Sequence, residues 1–115
     1  PKYLDISYAT LSERQKLDIY LPSVDEGPFP VIVHIHGGAF KMGNKRDEQL
    51  TSILLGLKRG YAIVSVNYRL SQEAKFPAAV EDVKAAIRFI KANAKKYQLQ
   101  YGVVLQVDIY QQWLE

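Results

Sequence analysis

The chain has 115 residues, 48% apolar and 23% charged, an ordinary globular balance that suits one small domain with a modest core. It contains no cysteine, which excludes disulfides and thiolate-bound metal, and no apolar run reaches membrane-spanning length. The net charge of +3 is scattered in short pairs, Lys45-Arg46, Lys58-Arg59 and Lys95-Lys96, which read as solvated helix ends rather than a nucleic-acid surface.

Residues 2–8 alternate weakly and suit an edge strand, and 10–15 form a polar turn. Leu17, Ile19 and Leu21 alternate with Asp18 and Tyr20, the period of a half-buried strand, so the two segments predict an antiparallel hairpin that Pro22 ends. Residues 23–30, with Gly27, Pro28 and Pro30, form a loop. Val31 to His36 then reads as a buried strand, β-branched and apolar apart from His34 and His36. It runs into Gly37-Gly38-Ala39. Glycines at a strand end mark a sharp turn, and its free N–H groups can also receive a negatively charged oxygen. A helix is expected from Arg46 or Asp47, with Leu50, Ile53, Leu54 and Leu57 on one face and Gly60 as its stop. Tyr61 to Asn67 reads as a second buried strand, and the strand–helix–strand order implies a parallel, right-handed crossover.

A second helix is expected over about Pro77 to Tyr97, with Val83, Ala86, Ile87, Ile90 and Ala94 as its apolar stripe. Residues 98–102 form a loop and Val103 to Ile109 a last strand, before an ambiguous end at 111–115. There is no internal repeat or linker, so residues 1–115 read as a single α/β domain. No leader-like segment precedes Pro1, and a cytoplasmic location is the expectation.

Three blocks carry more than any one glycine pair does. His36-Gly37-Gly38-Ala39-Phe40 resembles the oxyanion loop of α/β-hydrolase esterases, which reads His-Gly-Gly-Gly or His-Gly-Gly-Ala. Val66-Asn67-Tyr68-Arg69-Leu70 and Phe76-Pro77-Ala78-Ala79-Val80-Glu81-Asp82 resemble two further blocks of that family, in the same order and at similar spacing. Lys16 to Pro22 is similar to its second strand. The chain from about residue 2 to 99 therefore resembles the N-terminal portion of the carboxylesterase and hormone-sensitive-lipase-like branch. That resemblance implies a partial α/β-hydrolase sheet, an antiparallel hairpin followed by parallel strands with flanking helices. The parent activity it implies is hydrolysis of a small-molecule carboxylic ester by a Ser-His-Asp triad, with no cofactor, metal, nucleic acid or membrane partner.

Carried over residue by residue, the oxyanion donors fall on the backbone N–H groups of Gly38 and Ala39, braced by His36 and Gly37. Arg69 and Asp82 are expected to form a structural ion pair tying a strand exit to a helix start. His34 and His36 share one side of the strand, but no third ligand has suitable spacing for a metal, and hydrogen-bonded histidines are expected. Tyr68 reads as packing.

The family's nucleophile sits in Gly-x-Ser-x-Gly, and none of Ser7, Ser12, Ser23, Ser52, Ser65 and Ser71 does. Counting on from the Pro77 helix, the nucleophile would fall near Ile109 or Tyr110, with glycines near Val107 or Asp108 and near Gln111 or Gln112. Residues 100–115 thus depart from the pattern, no catalytic triad is present, and the chain alone is expected to be inactive. The alternatives are a non-catalytic assembly or binding module, or a truncated or frameshifted gene product. In each case a homo-oligomer is expected, because the outer strand would present an unpaired apolar edge.

Overall fold

The computed structural model describes the backbone of residues 1–23, 27–37 and 42–107, with side chains up to residue 100. Five strands form one mixed sheet: β1 (Lys2–Ser7), β2 (Lys16–Tyr20), β3 (Phe29–Ile35), β4 (Ala62–Val66) and β5 (Leu99–Val107), in spatial order β1-β2-β4-β3-β5. β1 and β2 pair antiparallel, as do β2 and β4, while β3 lies parallel between β4 and β5. α1 (Glu48–Ile53) runs into a 3₁₀ helix (Leu54–Arg59), and α2 (Ala78–Ala92) is the long helix. This is a partial α/β-hydrolase fold.

Register assigns the two faces. Leu17, Val64, Val66, Val31, Val33 and Ile35 share a buried cluster with Ala79, Ala86 and Ile90 of α2. Ile90 is 1% exposed, and burying one such side chain contributes about 2 kcal/mol. The opposite face carries Asp18, Ser65 and His34 side by side, because Asp18 pairs with Ser65 and Ser65 with His34. Ile32 and Ile63 continue that face, and Gly56 of the 3₁₀ helix sits over them, where a Cβ would come within 3.3 Å of the Ile63 side chain.

The boundaries differ from the sequence reading for local reasons. β3 begins at Phe29, not after Pro30. The Phe29 N–H bonds the Gln98 carbonyl at 2.7 Å, and the register with β5 breaks between Phe29 and Val31, around the proline that has no donor. α1 is short because the chain tightens to 3₁₀ pitch at Leu54, bringing the backbone at Gly56 close to the sheet. It ends as expected at Gly60, which is left-handed (φ 85°) and donates to the Gly56 and Leu57 carbonyls. α2 stops at Ala92, where the Asn93 amide donates to the Phe89 carbonyl at 2.9 Å, yet Ala94 and Tyr97 stay in the core through the turns that follow. β5 starts at Leu99, four residues before the expected Val103. The expected continuation to Ile109, and everything beyond Val107, lies outside the described residues.

Candidate functional site

The parallel strands set where a ligand can meet the sheet. From β3 the chain crosses to β4 by way of α1 on one face. From β4 it crosses to β5, on the other side of β3, by way of α2 on the opposite face. The carboxyl end of β3 is therefore a point where the winding reverses, the usual position of a binding crevice in an open α/β sheet. His36 and Gly37 occupy it.

His36 is fully buried and held on every side. Its ring stacks on Tyr68, with centroids 4.3 Å apart and planes 11° from parallel. The Tyr68 hydroxyl donates to the His36 carbonyl at 2.9 Å. The His36 Nδ1 lies 2.8 Å from the Gly37 carbonyl, which can only accept, so Nδ1 carries the proton. Nε2 is then an acceptor, and the Arg14 guanidinium, which can only donate, faces it at 3.4 Å. Burial, with the Arg14 charge adding to it, pushes the imidazole down to about 4, so His36 is neutral at ordinary pH.

Gly43 lies against Gly37 and the His36 ring, just past the end of β3. Gly43 has φ of 108°, and a side chain there would run into the Gly37 carbonyl and the His36 ring. Only glycine fits that approach. Gly38 and Ala39, the positions assigned to the oxyanion donors, lie outside the described residues.

Beyond Gly43 the chain is strapped across the polar face of the sheet. The Lys45 N–H donates to Asn67 Oδ1 at 2.8 Å, and the Ser65 hydroxyl donates to the Lys45 carbonyl. Lys45 Nζ reaches Asp5 at 2.7 Å and Asp18 at 3.3 Å, and Arg46 reaches the same two carboxylates at 3.0 and 2.9 Å. The two cations hold the Asp5 carboxyl below its ordinary value. Asp47 caps α1 by accepting from the Leu50 N–H at 3.0 Å and also meets His34 Nε2 at 3.0 Å. His34 Nε2 therefore donates, and its Nδ1 has no hydrogen-bond partner among the described residues. No group of three possible metal ligands occurs among the described residues.

Arg69 and Asp82 meet as a two-pronged pair. Arg69 Nε lies 2.9 Å from Asp82 Oδ2 and Nη2 2.9 Å from Oδ1, and the Arg69 N–H donates to Oδ2 at 2.9 Å as well. Gln15 supplies a further donor to Asp82 at 2.9 Å, and its carbonyl oxygen accepts from the N–H groups of Leu11 and Ser12. Arg14, Gln15 and Gly43 are thus parts of the site that the sequence did not single out. The sequence's one sign was a glutamine closing the polar turn just ahead of the apolar strand.

The BD-FAE family profile matches residues 17–105. Over 95 residues the chain is 36% identical to the probable carboxylic ester hydrolase LipM of Mycobacterium tuberculosis, spanning 81% of this chain and 22% of that protein. Among solved structures, the bifunctional GH43-CE protein of Bacteroides eggerthii superposes with a TM-score of 0.85 at 45% identity, over 92% of this chain and 15% of that one. A truncated form of a carbohydrate esterase from gut microbiota gives 0.84 at 36% identity, over 93% and 39%. The chain therefore spans well under half the length of each of these relatives.

Proposed function

The chain belongs to the BD-FAE family and has the N-terminal part of an α/β-hydrolase fold, and from that premise we propose that it supplies the oxyanion-loop half of a carboxylic-ester hydrolase acting on esterified carbohydrate. The observation that carries the reading is the close approach of Gly43 to Gly37 at the carboxyl end of β3, with the His36 ring packed against both. In such a hydrolase a serine oxygen, giving its proton to a base, adds to the acyl carbon and the carbonyl oxygen becomes an anion; the carbon–oxygen bond to the alcohol breaks as the alcohol takes that proton, and water then releases the acid from the acyl-serine. The N–H groups of Gly38 and Ala39 are the proposed donors to that anion, and losing one such donor costs about 100- to 1,000-fold in rate. His36 and Gly37 brace them. The carbohydrate preference draws on the carbohydrate esterase with which this chain superposes at 36% identity.

The serine elbow does not occur in these 115 residues, so the polypeptide alone should neither turn over aryl acetates nor react with a serine-directed phosphonate. The decisive experiment grafts residues 17–99 in place of the matching segment of the Bacteroides eggerthii protein. Hydrolysis of acetylated xylan or an aryl acetate by the folded chimera supports the reading. A folded chimera that binds a phosphonate at its serine yet shows no more turnover than one with Gly38→Pro overturns it. As part of the same proposal, the 115-residue polypeptide self-associates through β5.

A further inference from the structure

We propose that Arg14 is the positioning residue of the glycine loop, fastening both of its ends to the exit of β4. The inference rests on the ester-hydrolase reading of that loop. It concerns a residue that lies before the stretch the family profile matches.

One guanidinium reaches three separate segments. Its Nε donates to the Tyr68 carbonyl at 3.0 Å, just past β4. Its Nη2 donates to the Gly43 carbonyl at 2.9 Å, where the loop returns, and lies 3.4 Å from His36 Nε2, where the loop departs. The fork of an arginine is planar and rigid, so fixing two of these contacts fixes the third. The loop's two ends cannot drift apart while the guanidinium holds Gly43 and the imidazole holds Gly37.

Arg14 is itself aimed. Its N–H donates to Ser12 Oγ at 3.0 Å, inside a turn whose Leu11 and Ser12 N–H groups bond Gln15 Oε1 at 2.7 and 3.1 Å. Gln15 in turn donates to Asp82, which holds Arg69. The helix start, the β4 exit and the glycine loop are thereby joined through two neighbouring residues of the first hairpin turn. Arg14 acts on the loop from the side and works through Gly37 and Gly43.

The test uses amide order parameters, hydrogen exchange and imidazole NMR on the 115-residue protein carrying Arg14→Met or Arg14→Lys. Arg14→Met should lower the order parameters of Gly37 and Gly43 from the rigid range of about 0.85 to about 0.6 or less, with exchange in β2, β4 and α2 unchanged. The His36 ring should titrate at higher pH once the neighbouring cation is gone. Arg14→Lys keeps the charge and one carbonyl contact, and should recover the titration but only part of the order. Unchanged order parameters at both glycines, an even rise in exchange across the sheet, or loss of the whole fold would each overturn the proposal. None of these readouts needs turnover, so failure of the ester-hydrolase reading is seen separately, in the chimera.

Discussion

His36 is a base that the fold keeps from acting as one. Its folded-state value of about 4 lies below the ordinary 6.5, so the unfolded chain takes up the proton first as pH falls. The stability that the neutral ring contributes is therefore complete above pH 6.5 and is lost as pH falls toward 4. Urea unfolding at about pH 7.5 and about pH 4.5 should differ by up to about 2 kcal/mol from this group, and His36→Asn should remove most of that difference. An unaltered pH slope in the variant would refute the assignment. Asp82 makes a second residue-scale case. It is 2% exposed and takes hydrogen bonds from Arg69 and Gln15, so Asp82→Ala strands two sets of donors. Unfolding should cost about 3 kcal/mol less, the scale for breaking a buried pair, and a loss of only a few tenths would place the pair in effective solvent.

At the scale of elements, the segment from Gly43 to Asp47 is a strap with ties to four strands of the sheet. Lys45 meets Asp5 of β1 and Asp18 of β2, Ser65 of β4 holds the Lys45 carbonyl, and Asp47 meets His34 of β3. Lys45 is 3% exposed and Asp18 fully buried, so Lys45→Met leaves Asp18 with Arg46 as its cation. A cost of about 2 to 3 kcal/mol is expected in urea unfolding, little changed by added salt because the pair is shielded. A strong salt dependence would mean the contact is a surface one. The sequence shows strands well because their apolar alternation is local, and it shows α2 because its stripe repeats. It cannot show this strap. Asp18, His34 and Ser65 become neighbours only through the register of three strands, and each alone reads as an isolated polar residue in an apolar run. The length of α2 misleads for a related reason: Ala94 and Tyr97 are buried like helix positions but reach the core from turns.

For the molecule as a whole, the class of sheet, an antiparallel hairpin followed by parallel strands, was legible from the three motif blocks and their spacing, while the spatial order β1-β2-β4-β3-β5 emerges only in the structure. The clamp of Arg14 was not legible either, since nothing local distinguishes it from Arg46 or Arg88. What the sheet order adds is a contrast between its two outer strands. β1 carries Lys2 and Asp5, its register breaks between Tyr3 and Ile6, and Asp5 sits at φ 56°. Charge and a bulge both discourage pairing with another chain. β5 runs for nine residues, Leu99–Val107, with no charged side chain in its sequence. Its backbone offers one row of N–H and C=O groups to β3 and another outward. A second copy adding antiparallel to that edge would satisfy both rows by one symmetric contact. The 115-residue polypeptide is therefore expected to sediment as a dimer or larger at tens of micromolar. On dilution, amide protection should fall at residues 99–107 before it falls in β2 or β4. A folded monomer over that range, or protection of β5 that does not change with concentration, would rule out association through this strand.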